Sequence, residues 1–179
     1  PNPSRPSWKK PAPKWNSNKN KANGPLGDSL FEGSCASRGK VRGTMSEHYF
    51  TRRPQSAEDR RRFQTELRGF SFLFVTDAGV FSRDDVDEGS RTLIGLMELA
   101  PGARVLDIGC GYGPIGLAAA RLAPQGHVTM TDINERAAEL ARENARLNGI
   151  ANVTVKTGDL FEPVAGETFD VILANPPIR

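Results

Sequence analysis

Two stretches of this chain hold residue types that can do chemistry together. The first is Val105-Leu106-Asp107-Ile108-Gly109-Cys110-Gly111-Tyr112-Gly113-Pro114-Ile115-Gly116, an apolar run that breaks into closely spaced glycines. The second is Asn175-Pro176-Pro177-Ile178-Arg179. A strand that turns through glycines into a helix makes a nucleotide-sized pocket, because glycine permits the turn and lets a ligand approach the backbone. Pro176 and Pro177 fix φ and stiffen the chain beside Asn175. The Asn175 carbonyl and a backbone carbonyl then become rigid acceptors for the hydrogens of a planar amine. An adenosyl cofactor next to an amine-bearing base implies methyl transfer. The donor's sulfonium is already a good leaving group, so alignment and desolvation are the protein's task and no metal is needed.

Each cofactor-side residue has a chemical reason. Asp107 precedes Gly109, Gly111 and Gly113, where it could accept from the cationic amino group of a methionine moiety, directly or through water. A pyrophosphate would be repelled there, which separates this loop from the dinucleotide pattern that Gly111, Gly113 and Gly116 also satisfy. Asp132 ends the run Val128-Thr129-Met130-Thr131 and can take both ribose hydroxyls; the plainer alternative is an acid favoured by a helix N-terminus. Ile133 can pack on the adenine face. Asp159, within Gly158-Asp159-Leu160-Phe161, is placed to accept from the adenine amine or to serve as a turn residue, with Leu160 beside it. Phe81, Ile178 and Arg179 are expected on the substrate side.

The elements that must position these residues read as follows. Residues 63–82 alternate through Phe70, Phe72 and Phe74 and predict a β-hairpin with its turn at Asp77-Ala78-Gly79 and a return through Val80-Phe81. A helix over roughly 90–99 is capped by Asp87 or Ser90. Strands are predicted at Val105–Ile108, His127–Thr131, Val153–Lys156 and Phe169–Ala174, and helices at 114–122 and 135–147, the latter capped by Asn134. Short apolar strands separated by helices imply an α/β fold with a parallel, doubly wound, Rossmann-like sheet. Such sheets usually continue past the switch point, and the strand before Asn175 would otherwise keep a naked apolar edge. The chain is therefore expected to be incomplete at its C-terminus, with distal strands missing.

Composition divides the 179 residues in two. Residues 1–44 hold nine Lys or Arg and two acids, whereas 45–179 carry a net −4, so the overall +3 belongs to the tail. The body is thus no basic nucleic-acid binder by charge alone. The tail is rich in Pro, Asn, Ser, Gly and Lys and reads as disordered. It is either an RNA-grasping arm or an extraneous upstream extension, and the second reading is preferred because Met45 looks like a natural start. Cys35 and Cys110 suggest neither a disulfide framework nor a zinc site. No stretch approaches a membrane span and no apolar signal core appears near the start, so a cytoplasmic setting is the default.

Residues 45–179 resemble class I adenosylmethionine-dependent methyltransferases, and more narrowly the bacterial small-subunit ribosomal RNA guanine-N2 methyltransferases in a short single-domain form. The likeness rests on His48-Tyr49-Phe50, Thr76-Asp77-Ala78-Gly79-Val80-Phe81-Ser82, Val86-Asp87-Glu88-Gly89-Ser90, the glycine loop, Asp132-Ile133-Asn134-Glu135-Arg136-Ala137 and Asn175 to Arg179. The resemblance implies S-adenosyl-L-methionine as cofactor, methylation of a guanine exocyclic amine, and ribosomal RNA or the small ribosomal subunit as partner. Oligomeric state is not legible. Ile178 departs from the aromatic that follows Asn-Pro-Pro in many amine methyltransferases. Competing readings are a methyltransferase acting on a protein glutamine or DNA adenine, a nucleotide-binding oxidoreductase, and an inert cofactor-binding fragment.

Overall fold

The alternation of Phe70, Phe72 and Phe74 does make a strand, but the hairpin turns earlier than the sequence predicts. In the computed structural model, which describes residues 59–80 and 82–176, β1 (Arg61–Leu67) and β2 (Phe70–Thr76) pair antiparallel with Leu67 opposite Phe70. The turn is Arg68-Gly69, with φ of 53° and 78°. Positive φ at both central residues lets a two-residue turn match the twist of its strands. Asp77-Ala78-Gly79 instead leads the chain out of the sheet. Asp77 Oδ1 accepts from the Ala78 and Asp59 amides, each at 2.6 Å, and an Asp that satisfies local amides competes with a strand ladder. The expectations for residues 1–44, His48-Tyr49-Phe50, Phe81, Pro177, Ile178 and Arg179 lie outside the described residues.

After the hairpin come α1 (Glu88–Leu96), β3 (Arg104–Ile108), α2 (Pro114–Leu122), β4 (His127–Asp132), α3 (Glu135–Leu147), β5 (Val153–Thr157) and β6 (Val171–Ala174). The four later strands are parallel in the order β5-β4-β3-β6. Strand order therefore reverses beside β3, which is where open sheets of this kind form a crevice. Asp87 caps α1, accepting from the Ser90 amide at 3.0 Å. Asn134 Oδ1 caps α3 through the Arg136 and Ala137 amides. Pro114 opens α2 as its first residue, where its missing N–H costs nothing. The last strand begins two residues later than predicted, because Asp170 first hooks the Arg104 backbone through both its own amide and its carboxylate.

Two contacts lock the layers. A methyl group at Gly116 would fall 2.3 Å from Met130 Sδ and 3.0 Å from Asp107 Oδ2, so only glycine lets α2 approach the sheet this closely. On the far side of the hairpin, two asparagines one turn apart, Asn144 on α3 and Asn148 at its C-cap, complete the otherwise unpaired edge of β2. Asn144 accepts from the Val75 amide at 2.8 Å and donates to the Val75 and Tyr112 carbonyls. Asn148 repeats the pattern on Leu73. An open strand edge invites pairing with other chains, and these amides close it. Tyr112 of the glycine loop packs edge-on against Phe74, with Phe63 nearby. The hairpin is thereby fastened to the loop that forms the site. None of the described helices is long and apolar enough to cross a membrane.

Asn144 is fully buried and its loss would strand several backbone groups. Asn144→Ala is expected to destabilise the protein by about 3 kcal/mol or more, since each buried orphan costs roughly 1–3 kcal/mol. Asn148→Ala, at a half-exposed site, should cost less. Equal denaturation midpoints for Asn144→Ala and the parent would contradict this role.

Candidate active site

Strand register brings the two motifs together. Ile108 pairs with Thr131 on one side and with Ala174 on the other. The residues that follow, Gly109, Asp132 and Asn175, therefore emerge side by side at the carboxyl edge of the sheet. Asp132 pairs with Thr157, which adds Gly158 and Asp159 to the same edge. A cavity of about 520 Å³ lies there, lined among others by Gly109, Gly111, Asp132, Ile133, Asp159 and Asn175. Leu160 and Pro176 also line it, so eight of the expected residues, two carboxylates among them, share one cavity.

The glycine loop is held by backbone bonds and by one carboxylate. Gly109, Gly111 and Gly113 have φ of 68°, 58° and 96°, a region that other residues reach only with strain. The Gly109 and Cys110 amides both donate to the Thr131 carbonyl, at 2.8 and 3.0 Å. Asp132 Oδ2 accepts from the Gly111 amide and Oδ1 from the Asn134 amide, each at 2.8 Å. Each oxygen keeps further lone-pair capacity toward the cavity. Burial pushes the Asp132 carboxyl up from its ordinary value, against the pull of those two amides.

Asp107, expected to meet the amino group of the cofactor directly or through water, lies behind the cavity wall. Its side chain is completely buried and does not line the cavity. Neither carboxylate oxygen has a hydrogen-bond partner of good geometry. Burial lifts its pKa to about 8; the Gly116 backbone amide opposes the shift, and the negative charge of Asp132 adds to it. It sits beneath the loop as an unpartnered acid. Gly113, the N-cap of α2, is not among the residues that line the cavity.

At the other end of the cavity Leu160 takes a left-handed backbone (φ 43°), and Leu160, Phe161 and Ile172 leave apolar surface exposed around the mouth. Asn175 shows the least expected geometry. Its Nδ2 donates to Asp87 Oδ1 and to Ser90 Oγ, both at 3.0 Å. The segment that caps α1 therefore also grips the residue expected to meet the substrate. Gly79 and Val80 close the wall over the top, and the Gly79 carbonyl is held by Asn134 Nδ2 at 3.2 Å. Sequence reasoning assigned Asp87 and Ser90 to capping alone. The available signal was Gly89, a costly residue in the first turn of a helix: a methyl there would lie 3.0 Å from Asn175 Oδ1 and 3.1 Å from Asp87 Oδ1.

A parallel sheet in this order, with a glycine loop at the switch point and an acid ending the next strand, is the Rossmann-like architecture of class I methyltransferases. Residues 71–179 match the methyltransferase small domain family, and the chain belongs to it. It is 47% identical over 138 residues to the uncharacterised protein YbxB of Bacillus subtilis (strain 168), covering 75% of this chain and 68% of that one. Ribosomal RNA small subunit methyltransferase C of Escherichia coli (strain SMS-3-5 / SECEC) is 36% identical over 132 residues, which are 73% of this chain and 38% of the E. coli protein. A solved structure, the T. thermophilus 16S rRNA N2 G1207 methyltransferase RsmC in complex with AdoMet and guanosine, superposes with a TM-score of 0.63 at 28% identity, over 70% of this chain and 35% of that one. The chain thus spans little more than a third of the methyltransferases named here.

The buried acid sets a pH dependence. Between the ordinary carboxyl value of 3.8 and about 8, native Asp107 holds a proton that the unfolded chain releases. Stability should therefore be fullest near pH 4 for this group and fall as pH rises, by at most about 1.4 kcal/mol per unit, levelling off above pH 8. Asp107→Asn removes that slope and should melt above the parent at pH 8 in the absence of cofactor. Parallel melting curves for the two proteins from pH 5 to 8.5 would contradict the buried, unpartnered state of Asp107.

Proposed function

We propose that this protein transfers the methyl group of S-adenosyl-L-methionine to the exocyclic amine of a guanine in small-subunit (16S) ribosomal RNA, acting in the cytoplasm on the RNA or the small ribosomal subunit. The observation that carries the reading is the pairing of β6 with β3, which sets Asn175 and the glycine loop on one cavity. The names of the E. coli and T. thermophilus relatives support the ribosomal RNA guanine as target. A protein glutamine or a DNA adenine offers a similar amine, but no feature of the site favours either.

The residues fit the cofactor. The buried Asp107 carboxyl, without a hydrogen-bond partner, is an acid that a nearby cation would shift toward its ionised form. Asp132, with lone pairs to spare, suits a ribose diol. Ile133 and Leu160 offer apolar faces to a purine, with Asp159 at the edge for its amine. Asp107 acts on the ammonium end through the loop or a water rather than by touching it. When bound, the cofactor supplies an electrophilic methyl group. The protein's own work is to hold the amine in register: Asn175 Oδ1 and a backbone carbonyl accept its hydrogens, and the apolar rim of Leu160, Phe161 and Ile172 excludes water. Pro176 and Pro177 keep the Asn175 turn stiff. Phe81, Ile178 and Arg179 belong to the substrate side in this reading. The target base must leave any stacked or paired state to reach the cavity.

Two variants test the assignment. Asp132→Ala removes a charged acceptor and should weaken adenosylhomocysteine binding by about 1.5–3 kcal/mol in calorimetry. Asn175→Ala should lower turnover on small-subunit particles by about a hundredfold, because misalignment of the reacting groups has costs of that order, while cofactor affinity stays near the parent value. Unchanged affinity in the first variant, or unchanged turnover in the second, would overturn the site as drawn.

A further inference from the structure

The first turn of α1 does more than begin a helix. Asp87, Gly89 and Ser90 converge on one side chain, the amide of Asn175, from 85 to 88 residues away in sequence. A carboxylate oxygen can only accept, so the Asn175 atom that faces Asp87 must be the amide nitrogen. Both hydrogens of Nδ2 are then engaged, one by Asp87 Oδ1 and one by Ser90 Oγ. The same Asp87 Oδ1 accepts from the Ser90 backbone amide, so the helix cap fixes the very atom that fixes Asn175. Gly89 leaves the space: a methyl group would press on both Asn175 amide atoms and on Asp87 Oδ1. No protein donor reaches Asn175 Oδ1 among the described residues, and Asp87, Ser90 and Asn175 all line the cavity.

An asparagine free to flip presents either two donors or one acceptor. A flipped Asn175 would offer N–H groups, and those bind a carbonyl such as an oxo group of a base. Locked as it is, it offers only oxygen, and that binds an N–H. We propose that Asp87 is a positioning residue that locks the Asn175 amide with its oxygen toward the cavity, and that this lock, with Ser90, makes the site selective for an amine over a carbonyl edge. The inference rests on the methyl-transfer reading of the site and deepens it by naming the residue that sets its polarity.

The lock separates from the helix cap by choice of substitution. Asp87→Ser keeps a good N-cap but is too short to reach Asn175. Asp87→Asn keeps an Oδ1 that the Ser90 amide holds in place, so it still accepts from Asn175. Turnover on small-subunit particles and adenosylhomocysteine affinity are measured for Asp87→Ser, Asp87→Asn, Asn175→Ala and the double variant Asp87→Ser with Asn175→Ala. Asp87→Ser should lose about tenfold or more in kcat with cofactor affinity within about twofold, Asp87→Asn should recover most of that loss, and Asp87→Ser should add nothing once Asn175 is alanine. Normal turnover in Asp87→Ser, multiplied losses in the double variant, or equal losses in Asp87→Ser and Asp87→Asn would overturn the lock. NMR of the Asn175 side-chain amide gives a readout that needs no turnover: its protons should be shifted and slow to exchange in the parent and Asp87→Asn, and fast in Asp87→Ser. A parent that holds the amide rigid yet methylates no RNA would sink the functional reading and spare the lock; a freely exchanging amide in the parent would sink the lock itself.

Discussion

The carboxylate of Asp132 is the contact on which the site depends. It accepts from Gly111 of one β/α turn and from Asn134 of the next, at 2.8 Å each. A loop with three glycines has more conformations to lose on folding than most, and this acid, with the Thr131 carbonyl, selects one of them. The second bond reaches the cap of α3. Asn134 in turn holds the Gly79 carbonyl, so the wall that closes over the cavity is tied to the same acid through one intermediate residue. The group that steadies the loop is also the one with lone pairs left for a diol. In the proposed reading, binding and architecture share this one side chain.

Several departures from ordinary folding rules lie at this edge. Asp107 is buried without a partner, Leu160 has positive φ, and Leu160, Phe161 and Ile172 expose apolar surface. Others lie elsewhere, such as the buried Arg121 Nε without a partner and the exposed Leu96, whereas Asn144 is well satisfied. Beside a cavity, local inconsistency of this kind accords with a functional surface. The uncompensated acid favours a neutral form at pH 7 in the free protein, and a cation above it would relieve that strain.

Much of this was legible in the sequence, and for definite reasons. The helices at Pro114–Leu122 and Glu135–Leu147 match expectation because a proline, an asparagine cap and a following glycine mark their ends. The parallel strands were visible as short apolar runs between those helices. What escaped were contacts made across long separations. Arg68-Gly69 was passed over as a turn because Asp77-Ala78-Gly79 carries stronger turn residues; only pairing with Arg61–Leu67 decides between them. Asn144 and Asn148 look like surface residues of a polar helix until β2 is placed against them. The bond from Asn175 to Asp87 spans 88 residues and leaves no local trace beyond a glycine in a helix start. The place of Asp107 beside the glycines is legible, but its full burial with Oδ2 toward Gly116 of α2 is set by packing that the sequence does not display.

The account stands on one chemical claim, that the cavity delivers a methyl group to the exocyclic amine of a base. Small-subunit RNA incubated with the protein and trideuteromethyl-labelled adenosylmethionine, then digested to nucleosides and resolved by mass spectrometry, tests it directly. The account expects the label in N2-methylguanosine, formed far more slowly when Asn175 is replaced by alanine. Label in a 2′-O-methyl ribose or a C5-methyl pyrimidine, or in guanosine to the same extent without Asn175, would contradict it.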